Sequence, residues 1–219
     1  LVDRAATAVG WQVRQAEVLA GAPDTDEWLV AGRSDVREDR IEVRRVWLRG
    51  RTTGEWALVL SFAAYQQSLD DSFVPGTVVP ADLHRYPGRA LRALVGSPLV
   101  APGAVAPDAA DAFAVTVVEA CAEIGRAVAA EPWIERYPAI VRATPARLDG
   151  RWVLGDHTGS LPLVGDVRGR ATLLAASAGE PLTVTVEWTP HGVVPLTVHL
   201  ADRALDVGPR ADPSFVGAA

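Results

Sequence analysis

Four side chains within one short span, Asp70, Asp71, Asp82 and His84, are the best candidates for chemistry in this chain. Two carboxylates whose surroundings split their pKa values can share the acid and base roles of a hydrolysis. Carboxylates joined by a histidine can hold a metal ion. Their spacing follows no ligand pattern, however, and Asp70 to Ser72 reads as a solvated loop. A second grouping, Asp156, His157 and Ser160, lies in the string GDHTGS. Asp, His, Thr and Gly are turn formers, and triad members ordinarily come from distant parts of a chain, so a hairpin tip is the expectation there. Cys121 falls on the apolar side of a helix among alanines, without the positive, part-exposed setting that makes a reactive thiolate, and is expected to be buried. His191 and His199 read as turn and solvent-face residues of a final hairpin. One cysteine and scattered histidines do not supply the four ligands of a zinc site. The string GDVRGR lacks the spacing and the lysine of a phosphate-cradling loop. No catalytic residue, metal or cofactor is therefore expected, and a hydrolase or metal-dependent enzyme built on Asp70, Asp71, Asp82 and His84 is the alternative reading.

A third feature is the arginine-rich ribbon RIEVRRVWLRGRTTGEWALVLSFA, residues 40 to 63. Seven arginines between Arg33 and Arg51 face four acids, and nonspecific nucleic-acid affinity grows with the number of phosphates that uncancelled cations neutralise. Arg33, Arg37 and Arg40 alternate with carboxylates. Arg44 and Arg45 are adjacent on a strand and point to opposite faces, so one of them is expected to pair inside the protein. The apolar phase moves there from Ile41 and Val43 to Val46 and Leu48, which predicts a β-bulge. Arg49 and Arg51 remain as candidate interaction residues standing free, too few for useful affinity to a duplex, so no direct nucleic-acid binding is expected.

The elements that must position these residues follow from pattern and punctuation. With 219 residues and 49% apolar side chains the chain can bury a sizeable core. Its net charge is −6 and its basic residues are all arginine; Met, Lys and Asn, whose codons are AT-rich, are absent, which suggests a high-GC genome. The chain opens at Leu1 and reads as a piece of something longer. It carries no run long enough to span a membrane and no leader-like start, so a cytoplasmic location is expected. Residues 1 to 20 look helical. DEWLVAGR, IEVRRVWLRG and EWALVLSFA then read as an antiparallel meander. A short strand around GTVV and a helical turn from Arg89 to Val95 follow. Pro98, Pro102, Gly103 and Pro107 mark a linker. Phe113, Val117, Cys121, Ile124 and Val128 then give the period of one long amphipathic helix of about 22 residues, ended by Pro132. Beyond it, short strands joined by DG, TG and HG turns predict a small sandwich or partial barrel, with Val184, Val186 and Trp188 of LTVTVEW inward and Thr183, Thr185 and Glu187 outward. The expected fold is thus α+β: a meander domain over 1–96 with flanking helices, a linker over 97–107, a helical segment over 108–137 and an all-β domain over 138–219. An internal duplication relating the two Glu-Trp strands is a minor reading.

The strings RRVWLRG, TGEWALVLSFA, SLDDSFVPGT, ADLHRYPG and RALVG, with a weaker echo in DGRWVL, LPL and EWTPHGVVPLTV, carry a likeness. This run resembles the region C-terminal to the zinc finger in bacterial SWIM zinc-finger family proteins, best from about Trp28 to Gly96. The family's Cys-x-Cys, Cys-x-His module is missing, and none of its ligands has a counterpart here. The resemblance implies a non-catalytic interaction or scaffold region, with protein partners such as an AAA+ ATPase or a von Willebrand factor A protein.

Overall fold

The computed structural model describes residues 13–38, 41–64, 68–88, 91–97, 104–106 and 108–210. The first half is a closed barrel. A short helix α1 (Gln15–Leu19) leads into β1 (Asp24–Glu38), β2 (Ile41–Gly50), β3 (Trp56–Ala64), β4 (Thr77–Arg85) and β5 (Arg92–Val95). The long β1 pairs with β4 through its first residues and with β2 through the rest; β3 joins β2 on one side and β5, in parallel, on the other. β4 and β5 close the ring, and β6 (Ala104–Val105) adds to β4. Side chains alternate along each strand, so one set fills the barrel (Trp28, Val30, Val46, Leu48, Ala57, Val79, Leu83) while the other (Leu29, Trp47, Trp56, Leu58) points outward.

The second half repeats this topology. After α2 (Asp108–Asp111) and α3 (Val117–Ala130) come β7 (Tyr137–Leu148), β8 (Arg151–Asp156), β9 (Gly159–Pro162), α4 (Val167–Ser177), β10 (Leu182–Thr189) and β11 (Gly192–His199), with β12 (Ala204–Asp206) at the edge of β11. β7 again pairs with β10 through its first part and with β8 through its second. β8 pairs with β9, and Leu163 just beyond β9 bridges in parallel to Val193 of β11. Both halves therefore have the strand order 1-2-3-5-4 closing back on 1, with one parallel contact, as in the Greek-key barrels of OB-folds. The strings WLRGRTTGEWALV (47–59) and WVLGDHTGSLPLV (152–164) match at Trp, Gly, Thr-Gly and Leu-Val. Yet Trp47 points out of its barrel, whereas Trp152 packs against the interior of its own. A shift of one residue turns every side chain of a strand to the other face, so the repetition lies in topology and the side chains do not follow it. Nor does it relate the two Glu-Trp strands, which are β3 and β10.

The barrels pack directly on each other. Leu29, Trp47, Trp56 and Leu58 of the first meet Ile140, Leu196 and Val194 of the second, with α2 and Phe113 filling the seam. This contact overturns the outward reading of LTVTVEW: Thr183, Thr185 and Glu187 are all buried, because the face that would meet solvent in a lone sheet meets the first barrel.

Other expectations also change. The long helix is two: residues 112 and 113 form a turn after α2, Val115 bridges to Val141, and α3 starts at Thr116 in a capping box with Glu119. Phe113 lies in that turn and packs into the seam between the barrels, and its burial there mimicked a helical period. Cys121 is exposed. Arg92–Val95 is a strand, not a helical turn. The bulge lies in β1, between Val30 and Gly32, while β2 runs unbroken along β3. His199 is buried, not on a solvent face. The stretches 98–103 of the expected linker and 1–12 of the expected first helix lie outside the described residues.

Candidate functional site

The four residues first considered for chemistry do not converge. Asp82 on β4 accepts the Thr25 hydroxyl at 2.5 Å, and the His84 ring donates through Nδ1 to the Gly21 carbonyl at 2.9 Å. Asp71 lies instead against Arg33 and Arg44, at 3.0 and 2.5 Å. Thr25 and Arg33 are eight residues apart on β1, which separates the two acidic positions by roughly 25 Å. Asp70 is spent on its own turn, accepting from the Ser72 amide and hydroxyl. The Arg44 hydrogen bond holds the Asp71 carboxyl below the usual carboxylate range, the direction for a structural ion pair rather than a proton donor. Among the described residues no cluster of three His, Cys, Asp or Glu side chains could hold a metal.

The arginine ribbon is likewise committed to the fold. Arg44 is buried and grips Asp35 with two bonds, at 2.8 and 2.9 Å, as expected of one of the adjacent pair. Arg49 and Arg51 do not stand free. Arg49 lies 4.7 Å over the Trp56 ring, 5.2 Å over Phe113 and 3.5 Å from Glu123, while Arg51 pairs with Glu27 at 2.7 Å. Glu123 also accepts from Trp56 and Tyr137, which joins α3, β3 and β7 at one carboxylate. Buried Glu187 accepts the Trp47 indole at 2.9 Å and an Arg136 guanidinium. The bonds of Arg49 and Trp56 to Glu123 and of Trp47 to Glu187 cross the seam between the barrels. The strands 2 and 3 face, through which OB-type barrels take oligonucleotides, is thus largely occupied in the first barrel by the second.

A cleft of about 730 Å³ opens on the outer surface of β7 and β8. Outward residues Arg142, Thr144 and Ala146 of β7 and Gly155 of β8 lie along it, with Ala114, Val115, Ala143 and Pro181 adding apolar wall. Glu119, Asp156 and His157 stand at the end formed by α3 and the β8–β9 turn. This size suits a small ligand or a short peptide segment. The acids in it are already engaged. Asp156 accepts from the amides of Val117, Thr158 and Gly159 and from the Thr158 hydroxyl. Burial pushes its carboxyl up, but these bonds outweigh burial and hold it at about 2. Glu119 is bonded by the Thr116 hydroxyl and amide, which lower its pKa. Asp156 takes the Val117 amide, the Thr158 hydroxyl that of Val118 and the Thr116 hydroxyl that of Glu119, so the first amides of α3 are not available to an anion. GDHTGS is the hairpin tip its composition suggested, and its carboxylate pins a helix. Arg142 is exposed and makes no ion pair among the described residues.

Sequence reasoning missed this cleft because its residues come from four separated stretches. One signal was there: Thr116-Val-Val-Glu119 is a capping-box pattern that marks a helix start inside the supposed long helix. No family model, curated protein or solved structure matches the chain.

Proposed function

We propose that this chain is a non-catalytic protein-interaction region whose β7–β8 cleft takes a short segment of a partner protein. One observation carries the reading: the β7–β8 cleft has apolar walls and an uncommitted guanidinium, Arg142, while its two carboxylates are tied to backbone amides. A carboxylate kept ionised and bonded on several sides is a poor general acid or base. The matching segment is extended, carries small apolar side chains and presents one acidic residue to Arg142. The resemblance to the region after the finger of SWIM zinc-finger proteins supports an interaction role, and an AAA+ ATPase or von Willebrand factor A protein is the partner class that it suggests. The hydrolase reading loses its footing, since Asp71 and Asp82 stand apart.

Selection from a random peptide display on the intact chain tests this. Enriched peptides should pair an acidic residue with small apolar ones, and their affinity should fall at least about tenfold, the worth of one ion pair or buried contact, in both Arg142→Glu and Ala146→Trp. No enrichment, or peptides that bind both variants as well as the parent, would overturn the cleft as the site.

A further inference from the structure

The outer face of α3 is the feature least explained by the fold itself. Val117, Ala120 and Ile124 face the core. The opposite face presents Val118, Cys121, Ala122, Gly125 and Ala129, all exposed, and just past the helix Trp133 is 89% exposed. A glycine in mid-helix costs roughly 1 kcal/mol relative to alanine. Nothing inside the molecule asks for one at Gly125, where an added Cβ would meet no atom within 4 Å. A bare Cα on an exposed face permits close approach from outside.

The charges on this face point to the occupant. Only Glu119 and Arg126 carry charge among the exposed residues of α3. They are seven residues apart, nearly two full turns, and so lie on one flank of the helix. In a two-fold antiparallel pairing, a residue on one flank meets the same flank of the partner helix running the other way. Centred beside Ala122, that pairing sets Glu119 against Arg126 twice, brings Ala122 and Gly125 close to the partner helix and carries each chain past the start of the other helix before it reaches Trp133. A parallel pairing would put the charges on opposite flanks. We infer that the exposed face of α3 is a self-complementary surface that pairs, antiparallel, with α3 of a second copy of this chain. Such an isologous contact closes on itself as a dimer. This inference does not rest on the cleft being occupied; Glu119 also stands at the end of the cleft, so Arg126→Glu and Ala122→Arg, outside its lining, keep the two tests apart.

Sedimentation of the full 219-residue chain, over a range of concentrations, tests it through charge exchange. The parent should sediment as a dimer. Arg126→Glu places like charges at both contacts and should weaken the dimer at least about 30-fold, as Glu119→Arg should. An equimolar mixture of the two variants should restore it as a heterodimer, since each Glu then faces an Arg. Glu119→Arg also removes part of the helix cap, so thermal melts confirm folding; Ala122→Arg, which blocks the contact by bulk and leaves the cap intact, should give a folded monomer. A parent that stays monomeric, a dimer indifferent to these substitutions, or a mixture that does not re-associate overturns the proposal.

Discussion

At the scale of single residues the seam between the barrels is held by polar groups with designated partners. Glu187 is the clearest case: a carboxylate with 1% exposure is tolerable only because the Trp47 indole and Arg136 satisfy it. His199 is another. It sits in the same seam, bonded through Nε2 to the Thr185 hydroxyl at 2.9 Å, and desolvation lowers its pKa from 6.5 to about 4, with Asp111 opposing. The folded imidazole is therefore neutral where the unfolded one has begun to take a proton. Between about 6.5 and about 4 the unfolded state binds more protons, so the stability from this group is whole above 6.5 and is lost as pH falls through 4. Urea midpoints measured at pH 7, 5.5 and 4.5 should fall in the parent and stay flatter over that interval in His199→Gln. Equal slopes would place the acid sensitivity elsewhere. None of this was legible in LTVTVEW and VPLTVHL. A threonine or histidine on a strand reads as solvent-facing, and only the second layer, which a local pattern does not report, makes it interior.

The elements were read more successfully, and the failures have one cause. The meander of β1 to β3 and the DG and HG hairpins follow from alternation and turn residues, which act within a few positions. Asp149 and Gly150 have positive φ of 50° and 78°, the geometry a two-residue hairpin turn requires. The long helix failed because burial in a two-layer fold imposes apolar residues on a turn as well as on a helix. What decides the boundary is chemistry at Thr116 and Asp156. Asp156 sits on the β8–β9 turn and accepts the Val117 amide at 2.8 Å, so a hairpin tip and a helix start share one carboxylate. Replacing it with alanine should cost about 1–2 kcal/mol, the range for losing a helix cap. Hydrogen exchange should locate that loss. The amides of Val117, Thr158 and Gly159 should exchange faster in Asp156→Ala, while Leu154 and Val184 in the barrel interior should hold. Uniform acceleration across the chain would mean that the residue supports global stability and not this junction.

At the scale of the whole molecule, the two barrels share a buried seam in place of a solvent-filled gap. Trp47 and Trp56 are outward residues of the first barrel with no solvent to face; alone, that barrel would expose both tryptophans and leave the Trp47 indole without its carboxylate. The second would expose Ile140 and Leu196 and leave Glu187 with Arg136 but without the Trp47 indole. Further ties reach across from β1: Arg33 bonds Asp206 at 2.8 Å, and the Asp35 amide donates to the Pro209 carbonyl at 2.9 Å. Apolar area lost at about 25 cal/mol per Å² and broken bonds at a buried seam are together comparable to the marginal stability of a small domain. The two halves should therefore behave as one cooperative unit. Produced separately as residues 1–97 and 104–219, neither should show a sharp urea transition, whereas mixing them should restore a single transition and a stable complex. Trp47→Ala in the first piece should weaken that complex by removing both the packing and the indole bond to Glu187. A half that melts cooperatively on its own would show that the seam joins two finished domains, and the buried polar residues along it would then be an interface between domains instead of part of one core.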